Sequence, residues 1–258
     1  AYDVSACLVG SEMCIRDRLY YMKKLFFILT FCIFLGFGNF VSVAAETDVC
    51  ATLKAEPEIE FTTSYGKLKY DFGYNQQGLT RLGQQYGIVE QGLFASGLAV
   101  VGVNWEVSLN TISRVVNDTD ICVVPTSLNV FIGYQDPTIF ISNQLQPGSC
   151  EYNVVVRHEQ THHQINTAAL EYFIPSLRRS VQKIARDIKP YRIDSPSKID
   201  EATNTLTEMY IAEIEPLIRH FKSELMQEQS KLDNQTNYQM ESDLCRRFNG
   251  RRPQNRQP

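Results

Sequence analysis

The chain has 258 residues, of which 43% are hydrophobic and 21% charged, and its formal net charge is −4 at pH 7. With the leader segments described below set aside, that length fits one domain able to bury a real core. The mild acidity, with no basic stripe and no interleaving of aromatic and basic residues, excludes a nucleic-acid binder.

Residues 1–18 show no clear helical or strand period and resemble a translated sequencing-adapter tag, so residues 1–21 are set aside as a non-native leader. Met22 is followed by Lys23 and Lys24, an almost wholly apolar run over residues 25–40, and small residues up to Ala45. That order reads as a signal peptide over residues 22–45, cleaved after Ala45. An uncleaved anchor needs about 20 apolar residues to cross a bilayer. This run is shorter and contains Gly36, Gly38 and Asn39. Export to the bacterial periplasm or beyond is expected, with membrane contact only through this segment before cleavage.

Residues 46–258 then form a single domain containing Cys50, Cys122, Cys150 and Cys245. An even number of cysteines in an oxidising compartment implies disulfides. The expected pairs are Cys122–Cys150, closing the region before a histidine cluster, and Cys50–Cys245, tying the ends together. A metal site is the poorer reading, since no close C-x-x-C pair is present.

In chain order, residues 61–65, 98–105, 121–124 and 128–132 read as strands. Residues 138–141 read as one more, after a turn at Asp136-Pro137. Residues 83–97 are too glycine-rich to place. Beyond residue 150 the pattern turns helical. Ser149 is a good N-cap with Glu151 in the first turn, and Pro175 should end that helix. A second helix fits residues 176–188. A third, opened by a capping box of Ser197 and Asp200, runs to about residue 230 with a kink at Pro216. The fold class is α+β: a β-rich half followed by a three-helix half.

The first of these helices carries His158-Glu159-Gln160-Thr161-His162. Residues four apart on a helix are offset by one turn plus about 40°, so His158 and His162 share a face and can grip one metal ion. Glu159 emerges about 100° around, able to reach a metal-bound water without taking a coordination position. This is the H-E-x-x-H logic of zinc peptidases, with the glutamate as general base. The bland alternative is a polar helix whose histidines bind nothing. Val154-Val155-Val156, which lead into the motif, favour a buried entry instead. His163 points away from the pair and suits a supporting or surface role, and His220 should be solvated.

Residues 149–172 (SCEYNVVVRHEQTHHQINTAALEY) resemble a bacterial family of predicted secreted zinc-dependent proteases of otherwise unknown function. The likeness covers residues 104–248, and its specific core is the His158-Glu159-x-x-His162 motif. It implies a zincin-like arrangement in which a β-rich region precedes the motif helix. Many members carry a later Asp-x-x-Thr-x-His-Gly segment. Here Asp233 and Thr236 match it, and Tyr238 stands where the family has histidine. The third zinc ligand is therefore open: Asp233 and Tyr238 are candidates, as are Glu201, Glu208 and Glu213 on the third helix. Glu171 is weaker, lying nearly opposite the metal face of a straight helix.

The expected activity is hydrolysis of a peptide or protein substrate. Zn2+ would lower the pKa of its bound water to about 7, and Glu159 would take the proton and pass it to the leaving amine. The alternative is a catalytically silent zinc-binding or structural protein of the cell envelope.

Overall fold

A computed structural model describes residues 48–250. The segments expected to be a signal peptide and a leader before it lie outside the described residues, and no described helix is long and apolar enough to cross a membrane. The elements are β1 (Glu58–Ser64), β2 (Lys69–Asp71), α1 (Gln76–Gln85), β3 (Gly97–Val115), β4 (Ile121–Ile141), α2 (Cys150–Asp187), β5 (Tyr191–Ile193), α3 (Ile199–Ser230) and α4 (Gln235–Gly250). The α+β order expected from the sequence is observed: a five-stranded sheet, then helices.

The sheet is organised on β4. Its 21 residues pair antiparallel with β3 along one edge. Along the other edge lie β5, antiparallel at Ile121–Val123, then β1, parallel at Ser127–Gly133, and β2, parallel at Thr138–Phe140. The three strands expected at residues 121–124, 128–132 and 138–141 are thus one continuous strand. The residues that suggested breaks mark irregularities in it. Register shifts fall between Asn110 and Thr111, opposite Pro125, and between Val100 and Gly102, opposite the stretch containing Asp136 and Pro137. Proline inside a sheet is confined to edges and bulges. Asp136 takes φ 40° there, a conformation that aspartate tolerates better than most side chains.

The helices also join where breaks were expected. α2 runs 38 residues, capped by Ser149 Oγ, which accepts from the Tyr152 amide at 3.1 Å, and it passes straight through Pro175. A proline inside a helix costs about 3 kcal/mol through a lost hydrogen bond and a steric clash. Pro175 and Glu171, whose carbonyl loses its partner, are both on the exposed face, where water compensates. On the opposite face Leu170, Phe173, Leu177, Val181 and Ala185 form one buried stripe across the proline. It packs on the matching stripe of α3, Ala202 through Leu225, with the Phe173 and Phe221 rings stacked at 4.6 Å. Pro216 is likewise exposed inside a continuous α3. The expected capping box at Ser197 does not form: Ser195 caps a short 3-10 turn, and α3 starts at Ile199 without a side-chain cap.

α1, where no element was expected and which ends inside the unplaced stretch 83–97, is capped by Asn75 Oδ1, which accepts from the Gly78 amide at 2.8 Å. Its glycines lower helix propensity. Gly83 is needed there because Val89 occupies the space a β-carbon would take.

The disulfides are Cys50–Cys122 and Cys150–Cys245, correcting both expected pairings. The reason is the length of β4. Roughly 60 Å of extended strand separates Cys122 from the end that leads to Cys150, whereas bridged α-carbons lie within 7 Å. Cys122 instead meets the 3-10 turn at residues 49–52, and Cys150 at the start of α2 meets α4. Both bridges are consistent with an extracellular or periplasmic location.

Candidate metal centre

The α2–α3 seam changes character at one end. On α2 the buried stripe continues from Leu170 back through Asn166, His162, Glu159 and His158, and on α3 it ends at Gln229. A helical period that suits a hydrophobic core thus delivers a set of polar side chains to one buried place. Such groups need partners to be stable there.

Their partners are specific. The Gln229 side-chain amide donates to the His162 carbonyl at 3.1 Å and to Asn166 Oδ1 at 2.8 Å. With both amide hydrogens used, Gln229 Oε1 faces His162 Nδ1 at 2.5 Å, so that nitrogen carries a hydrogen. Tyr134 Oη donates to the Asn166 carbonyl at 2.7 Å, pinning this turn of α2 to β4. His158 Nδ1 faces the Glu241 carboxylate of α4, 3.3 Å from Oε1 and 3.2 Å from Oε2, and donates to it.

With hydrogens on both Nδ1 positions, loss of the Nε2 proton leaves each ring a bare lone pair there, the form in which it ligates a metal. These nitrogens lie 3.2 Å apart, and each is 3.1 Å from Asp233 Oδ1. Three electron-pair donors therefore converge in a buried site. His158, His162 and Asp233 form a group that could hold a metal ion. Asp233 reaches it from the turn between α3 and α4, where its amide donates to the Gln229 carbonyl at 3.2 Å. Asn234 then caps α4 by accepting from the Asn237 amide at 2.9 Å.

The electrostatics show the same demand for positive charge. Burial pushes the His158 ring down, but the Asp233 hydrogen bond and the charges of Glu159, Glu241 and Asp233 outweigh it and hold the ring up at about 9. His162 is raised against the same burial by Asp233, Glu159 and Gln229. Asp233 is held well below the usual carboxylate range: burial opposes this, and the bonds from His158, His162 and Tyr238 prevail.

Glu159 sits beside this group against the first residues of β3. Burial pushes its carboxyl up to about 7, with Asp233 adding to the rise, while the two histidines and a hydrogen bond from the Ala99 backbone pull the other way. Gly97 permits the close approach. A β-carbon there would lie 2.5 Å from Glu159 Oε1 and 2.6 Å from Val155 Cγ1.

The other candidates separate cleanly. Tyr238 donates from Oη to Asp233 Oδ1 at 2.6 Å, so it holds the aspartate rather than replacing it. Glu201, Glu208 and Glu213 all lie on the exposed side of α3 and are not brought to the group. His163 is half-buried, and its Nδ1 is buried without a hydrogen-bond partner. His220 is exposed, 3.3 Å from Glu224. Gln229, Glu241, Asn166 and Gly97 were not foreseen as site residues. The spacing of Asn166, four residues past His162, was the one available signal.

A cavity of about 360 Å³ opens beside the group, lined by His158, Glu159, His162, Asp233 and Tyr238 and by residues from 88 to 101. Comparison of the chain with family models, curated proteins and solved structures gave no match.

Proposed function

We propose that the protein is a zinc-dependent peptidase acting outside the cytoplasm. The observation that carries this reading is the triangle formed by His158 Nε2, His162 Nε2 and Asp233 Oδ1, with sides of 3.1, 3.1 and 3.2 Å. Three ligands on a tetrahedral zinc at about 2.0–2.1 Å lie about 3.3–3.4 Å from one another. The donor set, two imidazoles and a carboxylate, suits zinc, and the hydrogen-bonded Nδ1 positions fix which nitrogen faces the metal. Among the described residues the group has three members and borders the cavity, which favours a catalytic centre over a closed structural one.

Zinc held there supplies Lewis acidity, polarising a carbonyl and making water acidic enough to ionise near neutral pH. Glu159 is the proton carrier. Its carboxyl is buried beside the group and held against β3 by a hydrogen bond from the Ala99 backbone, so it can accept a proton from water in the cleft and deliver it to the leaving amine. Tyr238 and Glu241 hold Asp233 and His158 in place. A peptide substrate is favoured by the strand beside the site. β3 pairs with β4 alone among the described residues, and its Gly97, Leu98, Ala99 and Val101 line the cavity. An unpaired strand edge can align an extended chain through backbone hydrogen bonds.

Glu159→Gln tests the reading. The variant should bind zinc as the parent does and lose cleavage of a peptide library by about 10²-fold or more. Cleavage at the parent rate would remove Glu159 from the chemistry.

A further inference from the structure

The cavity has a wall that neither zinc binding nor proton transfer requires. It is formed by the segment joining α1 to β3, above all Leu93 and Phe94, and the lining also includes the apolar Val101 and Val155. Leu93 is 53% exposed and Phe94 76% exposed, so two large apolar side chains stand in water at the mouth of the site.

They are held there. The Leu93 amide donates to the Glu90 carbonyl at 3.2 Å, through a turn in which Gly92 takes φ +89°. Just beyond, the Ala95 amide donates to the buried Thr80 Oγ1 at 3.1 Å, and the Ser142 amide donates to the Ser96 carbonyl at 2.9 Å. These bonds anchor the backbone on both flanks, so less of the segment is left to order on binding, which favours affinity.

Away from the metal centre the lining is acidic: Glu90, Glu159, Asp233 and Glu241 face the cavity, and no lysine or arginine among the described residues lines it. Beyond the metal centre, a substrate's terminal carboxylate would therefore meet like charge and no side-chain cation among the described residues. We propose that Leu93 and Phe94 receive a bulky apolar side chain of an internal peptide segment, so that the protein cuts within chains beside apolar residues rather than trimming C-termini. This specificity rests on the zinc-peptidase reading above.

Binding of hydroxamates to the zinc-loaded full-length protein, followed by calorimetry, separates the two ideas. Acetohydroxamate, which has no side chain, reports the metal centre alone. N-acetyl-phenylalanine hydroxamate should bind about tenfold or more tighter than its serine counterpart, as expected for an apolar pocket contact. The aspartate counterpart should bind weakest. In Phe94→Ser, whose exposed position leaves folding intact, the phenylalanine–serine gap should shrink by about fivefold or more with acetohydroxamate affinity unchanged. Phe94→Leu should keep most of the gap. Equal binding of the phenylalanine and serine compounds overturns the apolar wall, as does a gap that survives Phe94→Ser. An aspartate or lysine compound that binds as tightly as the phenylalanine one overturns the specificity as stated. Failure of acetohydroxamate to bind would sink the zinc-peptidase reading and this inference with it.

Discussion

Gln229 shows how much a single side chain decides here. Its two amide hydrogens are taken by the His162 carbonyl and Asn166, and this turns its oxygen, and so the His162 tautomer, to a fixed setting. Glu241 does the same for His158 from another helix. Residues that orient metal-bound histidines commonly contribute 10–100-fold to metal affinity. Gln229→Ala and Glu241→Ala should each weaken zinc binding by about that factor in a chelator competition assay, while Tyr210→Phe in the core leaves it unchanged. Gly97 acts differently. Gly97→Ala would press a methyl group onto Glu159 and Val155. Its expected signature is cleavage reduced by about tenfold or more with zinc affinity retained, since general-base geometry is sensitive at this scale. Loss of zinc together with activity would mean that the strand, not Glu159, had moved.

At the scale of elements, the His158–Glu159–His162 face was legible because four-residue spacing on a helix is a local rule. The third donor, Asp233, was legible only as one of five candidates, and the sequence did not choose among them. Asp233 lies 71 residues beyond His162 on a turn, and only the packing of α3 against α2 brings it back. Pro175 and Pro137 misled for one reason. Pro175 lies on an exposed helix face and Pro137 at a strand irregularity, positions where the missing amide is least harmful, and sequence alone does not reveal them. α4 is the element on which the site leans without much core of its own. It carries Glu241 and Tyr238 and is bridged to the first residue of α2 by Cys150–Cys245 across 95 residues. Replacing both cysteines by serine should destabilise the protein by about 2–5 kcal/mol in urea unfolding. Zinc affinity should fall as well, because Glu241 would lose its tether. An unchanged affinity would show that α4 docks without the bridge.

Over the whole molecule the division of labour is simple. The sheet, built on β4, shares one core with the helices, and the α2–α3 seam is apolar along most of its length and polar at one end. The cavity lies where that polar end meets the start of β3. Composition change near residue 150 was enough to foresee strands followed by helices, whereas the disulfide pairing required knowing how far β4 extends. Whether His158, His162 and Asp233 hold zinc with one position left open is decided by anomalous diffraction at the zinc edge from crystals of the zinc-loaded protein. One strong peak is expected about 2.0–2.2 Å from His158 Nε2, His162 Nε2 and an Asp233 carboxylate oxygen, with a solvent molecule as the remaining ligand. A peak elsewhere, or a coordination sphere closed by a fourth protein side chain, would contradict that assignment.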